Sequence, residues 1–377
     1  MPLKMHPDET LTPRERIETT LTLKEPDRVP FVPAFHCAPG LLTGMTLEEY
    51  FFNIPKSFEA VKKVWEMFGG FDAYTGCSPL LVYYLPFPSS HSMFYFDWTL
   101  PKGNISEQMH EKELMKQTDY ALLIERGFTT FKRRPELQQD FLKYINEYAN
   151  LHVGSWLKQM DVLNLMEAFV EPSVDLISFL RSFNRFVIDL MKMPETVLSA
   201  CESTEGELLK ALDMQLSGIK RVKPTTMILL GFSRIAPNFI GPKRFEMFWP
   251  HIKRFADYII KKGFMVQFHL DNDYTDVLEF FAELPKGKTM YHLDLTNIFK
   301  AKEILGDRAC LMGNIPPLIT GFGTPQEVEK YCKNQIEGCM KGGGYMLCSA
   351  CVLPDTIPAQ NLKAMRDSVL KYGFYRR

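Results

Sequence analysis

Near its C-terminus the chain reads Met312-Gly313-Asn314-Ile315-Pro316-Pro317, then Gly323-Thr324-Pro325-Gln326-Glu327-Val328. After a helix-length interval comes Gly342-Gly343-Gly344-Tyr345-Met346-Leu347-Cys348-Ser349-Ala350-Cys351. Two short apolar runs, 309–313 and 344–347, alternate with two amphipathic stretches, 325–340 and 358–372. Strand-length runs separated by helices argue for parallel strands with the helices outside.

The same alternation extends toward the N-terminus. Strand-like runs fall at 29–35, 71–75, 162–169, 227–231, 265–269 and 289–294, which with the two C-terminal runs makes eight. Amphipathic helices are expected at 57–67, 245–262 and 274–282, and a further one at 14–24. That first helix has a start signal: Thr12 caps, Pro13 suits the first helical position and Glu15 reaches back to the cap. Eight strand–helix units make a closed α/β barrel the economical architecture. The interval from about 77 to 160 departs from the pattern. It holds an aromatic- and proline-rich segment, 80–101, followed by helical patterns at 113–126 and 135–150. It reads as an excursion over the barrel mouth that covers an apolar ligand, packs as a satellite core or forms a dimer contact.

Composition narrows the function classes. The 377 residues are 46% apolar and 24% charged, with a net charge of −1, so there is no basic footprint for nucleic acid. The N-terminus lacks the apolar core of a secretory signal, and no apolar run reaches the roughly 18 residues of a membrane span. The eight cysteines are dispersed along a long chain. That usage fits a reducing cytoplasm, with Cys201 and Cys332 as small core residues.

Further residues continue the C-terminal series: Pro354, Pro358, Asn361 and Met365. Upstream lie Pro26-Asp27-Arg28-Val29-Pro30 and Phe239-Ile240-Gly241-Pro242-Lys243-Arg244-Phe245, the latter followed by Trp249-Pro250. In this order and spacing the series resembles the uroporphyrinogen decarboxylase superfamily. That superfamily also contains zinc-dependent methyltransferases that work with corrinoid proteins. The resemblance runs through almost the whole chain and implies one (β/α)8 TIM barrel domain over residues 1–377, with its site at the C-terminal mouth.

Three departures separate this chain from the decarboxylases. Their Arg-rich loop after the first strand is replaced by Ala34-Phe35-His36-Cys37-Ala38-Pro39-Gly40, which has no arginine. The aspartate they carry after the second strand is absent from Gly76-Cys77-Ser78-Pro79. Where they have a histidine seven residues before the last proline of the motif, this chain has Cys351. A polyanionic porphyrinogen would lack its charge partners.

Cys351 matches a zinc-binding cysteine of the methyltransferase branch. The His-x-Cys element that the branch pairs with it reads His269-Leu270-Asp271 here. The resemblance therefore implies a metal site of His269, Asp271 and Cys351, a three-ligand set with an open position, as in catalytic zinc sites. A carboxylate in place of a thiolate makes the ligand field harder and suits polarising an oxygen. Cys348 is a competing sulfur. Asp294, Glu171 and His36 are the expected catalytic groups, and Asn314, Ser233 and Arg234 the expected substrate-binding ones. His292 reads as a buried strand histidine.

The implied activity is a zinc-assisted methyltransferase exchanging a methyl group between a small substrate, favoured as a methoxyaromatic ether, and a corrinoid protein. This is the chemistry of O-demethylation. Transfer from a corrinoid to a thiol, a metal-free decarboxylase of a small acid, and a non-catalytic binding protein remain alternatives. The chain carries no Asp-x-His-x-x-Gly cobalt-ligand motif. Cobalamin would thus arrive on a partner protein or free. Monomer and homodimer are both compatible with the sequence.

Overall fold

The computed structural model describes residues 5–75, 97–99, 108–128, 147, 150–219 and 223–375. Ten strands are recorded in this set: β1 (Ala73–Tyr74), β2 (Asp97–Thr99), β3 (Gln108–His110), β4 (Leu163–Asn164), β5 (Ala168–Val170), β6 (Met227–Phe232), β7 (Met265–Leu270), β8 (Thr289–Leu293), β9 (Cys310–Met312) and β10 (Tyr345–Met346). β5 to β10 form a six-stranded parallel sheet in the order β10-β9-β8-β7-β6-β5. β1 and β4 form a parallel pair.

Backbone hydrogen bonds join these pieces into a ring. Leu165 N–H donates to Tyr74 O and Glu167 N–H to Met227 O, so the segment from β4 to β5 bridges β1 and β6. Asp72 N–H donates to Phe31 O, Val32 N–H to Leu347 O and Leu347 N–H to Pro30 O. The residues around Phe31 thus sit between β1 and the end of β10 and supply the eighth position of a TIM barrel.

The expected strand at 162–169 is split. Asn164 turns its side chain onto the backbone, with Nδ2 donating to Met166 O and Oδ1 accepting from Met166 N–H. This local bonding competes with the ladder and divides the strand in two.

Side-chain alternation along the strands separates two cores. Met227, Met265, Met290, Cys310, Met312, Met346 and Cys348 fill the barrel interior with Val32, Ala34, Ala73 and Leu165. The register sets Met227 beside Met265, Met290 beside Cys310, and Met312 beside Met346. The opposite parity, including Val266, Phe268, Tyr291, Leu293 and Leu311, packs under the helices. Unbranched, polarisable methionine fills such an irregular interior. On β7 the inward parity runs from Met265 through Gln267 to His269, and on β8 from Met290 to His292. The apolar floor therefore leads directly to the polar mouth.

The first helix, Pro13–Leu21, carries the expected capping box between Thr12 and Glu15. The helices Ile54–Phe68, Pro242–Lys261, Pro325–Cys339 and Ala359–Tyr372 lie where amphipathic stretches were expected. The stretch at 274–282 is shorter, a 3-10 turn Thr275–Val277 followed by Leu278–Phe281. Of the pattern at 113–126 only Tyr120–Arg126 is α-helical, after the turn Gln117–Asp119. Glu113 instead meets Arg181 at 2.6 Å. Three helices between β5 and β6 were not expected: Ser173–Arg181, Phe183–Lys192 and Pro194–Ser217. Most of the excursion, including nearly all of 80–101 and of 135–150, lies outside the described residues. Among the described residues no helix is long and apolar enough to cross a membrane.

Candidate metal centre

β7 delivers His269 to the barrel mouth, and Asp271 follows just past the strand end. The chain then turns at Asn272, whose φ of 81° is tolerated by asparagine better than by most side chains. The turn is held by Asn272 N–H donating to Asp294 Oδ2 at 3.0 Å and by Leu295 N–H donating to Asn272 O. Cys351 comes from the segment after β10. Ala350 N–H donates to Ile315 O on one side, and Leu353 N–H donates to Ala34 O on the other.

These two segments bring the three candidate ligands together. His269 Nε2 lies 3.3 Å from Cys351 Sγ and 3.1 Å from Asp271 Oδ1. Imidazole nitrogen, thiol sulfur and carboxylate oxygen all fall within 4.8 Å of one another. A tetrahedral zinc with bonds of about 2.0–2.3 Å needs ligand atoms roughly 3.2–3.8 Å apart. The donor set fits a zinc ion, and the two His269 separations lie at or just below the short end of that range. Side-chain exposures of 20% for His269 and 24% for Asp271 leave the group reachable from the mouth.

His292 supports the group from behind. Its Nε2 lies 3.1 Å from Ser349 O, which only accepts, so Nε2 carries the proton. Its Nδ1 is then an acceptor and faces His269 Nδ1 at 2.9 Å. His269 must donate from Nδ1, which leaves Nε2 to face Cys351 and Asp271 as the ligand atom. Burial and the neighbouring His269 hold the His292 pKa down to about 3, so it stays neutral.

Charge within the group is tightly coupled. Burial opposes a charged His269, but the Asp271 carboxylate and the Cys351 sulfur outweigh it and hold the imidazolium well above its usual range. Burial likewise opposes the Asp271 carboxylate, and His269 overcomes it, so Asp271 titrates below its usual value. Burial, reinforced by Asp271, pushes the Cys351 thiol up. A metal held here would have to displace the protons of His269 and Cys351.

Replacing His292 with phenylalanine is expected to lower zinc affinity about 10–100-fold, because His269 loses the partner that sets its tautomer. Competition with a chromophoric chelator measures this, and an unchanged dissociation constant would rule the relay out.

The other expected residues distribute around the mouth. Asp294 accepts from Asn272, and its carboxyl is held above the usual range by burial and then by Asp271. Asn314 commits its side chain to the barrel: Nδ2 donates to Asp294 O and Thr296 O, and Oδ1 accepts from Gln335. It thereby fixes the turn that carries Asp294. Glu171 is buried at the end of β5 beside Asp175, whose carboxylate accepts from the backbone N–H groups of Ser233 and Arg234. Burial, with Glu171 adding to it, pushes the Asp175 pKa up to about 7.

Arg234 pairs with Glu111 and stacks on Phe179, its guanidinium carbon 3.8 Å from the ring centroid. With Ser233, Phe183, Phe239 and Asn272 it lines a cavity of about 420 Å³. His36 is not part of the His269 group, and its Nδ1 faces Cys37 and Asp355. Cys348 is fully buried, its sulfur 3.5 Å from His292 Nε2, with its pKa raised to about 12 by burial.

Sequence reading missed His292 as a partner of His269, and it missed Asp175. A signal for the first existed, since His269 and His292 share inward parity on neighbouring strands and stand opposite each other in register.

No curated protein matches the chain in sequence. Among solved structures, a methyltransferase from Methanosarcina mazei superposes with a TM-score of 0.68 at 16% identity, over 96% of this chain and 99% of that one. At that identity the likeness speaks for the fold. The family model described as Uroporphyrinogen decarboxylase (URO-D) matches residues 165–372, more than half of the chain, including β5 to β10 and all three candidate ligands. The chain belongs to the uroporphyrinogen decarboxylase family.

Proposed function

We propose that this protein is a zinc-assisted methyltransferase that moves a methyl group between a methyl ether, favoured as a methoxyaromatic acid, and a corrinoid protein. The observation that carries the reading is the convergence of His269, Asp271 and Cys351 at the barrel mouth. The fold shared with the Methanosarcina mazei methyltransferase supports it. The strand-one loop around His36 has no arginine for a polycarboxylated porphyrinogen.

A zinc ion held by the three side chains supplies Lewis acidity to the oxygen that leaves the methyl group. In the net reaction the methyl–oxygen bond breaks with its electron pair left on oxygen. A reduced corrinoid, as the co-substrate, would take the methyl group with its own electron pair, and the oxygen would take up a proton. Asp294 and Glu171 are the carboxyl groups expected at the mouth, and Asp294, whose carboxyl burial holds above its usual range, suits donating that proton. Phe183 and Phe239, with rings 5.1 Å apart, form the aromatic wall of the cavity beside Asn272. Ser233 and Arg234 bind the carboxylate of the substrate there.

The test combines metal content with turnover. Protein purified without added metal is expected to hold near-stoichiometric zinc at the His269 centre. It should convert reduced corrinoid to methylcorrinoid when supplied with methoxybenzoates, and Asp271→Ala should lose both this conversion and the zinc of the His269 centre. A folded protein without zinc whose transfer activity is unchanged by Asp271→Ala would refute the proposal. Methyl transfer from methylcorrinoid to a thiol, with none from ethers, would replace it with the reverse chemistry.

A further inference from the structure

A second group of side chains repeats the donor chemistry of the first. His36 Nδ1 lies 3.3 Å from Cys37 Sγ and 3.6 Å from Asp355 Oδ1. The three ligand atoms all fall within 4.8 Å of one another. The set is again one imidazole nitrogen, one thiol sulfur and one carboxylate oxygen. The His36 separations match the edges of a tetrahedron around zinc, roughly 3.2–3.8 Å for bonds of about 2.0–2.3 Å. Cys37 is fully buried, the Asp355 side chain is 5% exposed and the His36 side chain 17% exposed. The His36 edge of the group is therefore its most exposed side.

We propose that His36, Cys37 and Asp355 form a second divalent-metal site of the zinc class. A thiolate with an imidazole selects zinc or cobalt over the hard cations magnesium and calcium, which demand oxygen ligands. On binding, Cys37 gives up its thiol proton to solvent and the metal takes the sulfur lone pair. No oxidation or reduction is involved. The site gives His36 a ligand's role in place of the acid's role expected from sequence.

The placement assigns it a purpose. His36 and Cys37 follow the first strand position, and Asp355 lies four residues beyond Cys351 in the segment after β10. That segment is already tied to the first strand by Leu353 N–H donating to Ala34 O and by Cys37 N–H donating to Asp355 Oδ1. A metal there fastens the seam where the barrel closes. It also fixes the segment from which Cys351 reaches the His269 group.

The test is a titration of the metal-free, full-length protein with Co²⁺, followed by Zn²⁺ displacement. The readout is the near-ultraviolet thiolate-to-cobalt absorption together with bound stoichiometry. Wild type is expected to bind two equivalents. The His269→Ala/Cys351→Ala protein should retain one equivalent with thiolate absorption, and adding Cys37→Ser should remove it. Asp355→Asn in the same background provides a second variant if Cys37→Ser does not fold, with folding judged by circular dichroism. A folded His269→Ala/Cys351→Ala protein that binds no cobalt overturns the second site. Failure of the His269 centre reads differently: wild type would bind one equivalent, lost on Cys37→Ser and kept on His269→Ala/Cys351→Ala.

Discussion

Replacing Cys351 with serine is expected to remove zinc from the His269 centre and to lower methyl transfer about 1,000-fold, the effect of losing several kcal/mol of charge stabilisation at the leaving oxygen. Cys351 is the only sulfur in the group, 3.3 Å from the ligand nitrogen of His269. Serine keeps the size but is a far poorer donor to zinc than a thiolate. The control is Cys348→Ser. Cys348 sits three residues earlier, fully buried among the interior methionines. Its substitution should leave metal content unchanged at the cost of some stability. The pair of variants also decides between the two sulfurs, which sequence spacing leaves open. Full zinc content and full activity in Cys351→Ser would exclude the thiolate ligand, and with it the proposed centre.

Much of the architecture is legible because it rests on periodicity and on local chemistry. The capping box at Thr12 and the proline-led helix at Pro325 announce themselves in a few residues. His269, Asp271 and Cys351 are legible through the family resemblance. Their convergence depends on long-range closure that spacing cannot express.

What stayed hidden has physical reasons. The helices Ser173–Arg181 and Phe183–Lys192 meet at Ser182, whose φ of 60° breaks the chain without a glycine or proline to signal it. The split between β4 and β5 comes from the Asn164 side chain, and a strand-like run of apolar residues conceals it. The coupling of His292 to His269 requires the register of two strands, which only pairing reveals. The grouping of His36 with Asp355 has no local signal, because the two lie more than 300 residues apart.

Replacing Asp72 with alanine is expected to cost about 3–5 kcal/mol of stability, the usual penalty for removing one partner from a buried ion network. Asp72 lies at the start of β1, at the barrel end opposite the metal centre, and is 1% exposed. Its Oδ1 accepts from Arg16 Nη1 at 2.5 Å and Arg28 Nη2 at 3.2 Å; its Oδ2 accepts from Arg28 Nη1 and from Phe31 N–H, both at 2.7 Å. Arg16 is also held by Asp27, and Arg28 by Glu9. One carboxylate thus joins the first helix, the first strand position and β1. Alanine leaves two buried guanidinium groups with unpaired donors and unpins Phe31 from the seam. Urea unfolding measures the loss. Zinc content at low denaturant should stay at its wild-type level, because residues at the bottom of such barrels serve stability and those at the top serve chemistry. A loss below about 1 kcal/mol would mean that water enters the cavity of about 540 Å³ lined by Arg16, Arg28 and Asp72 and replaces the carboxylate. The network would then be a solvated cluster, and the barrel floor would owe its stability to packing alone.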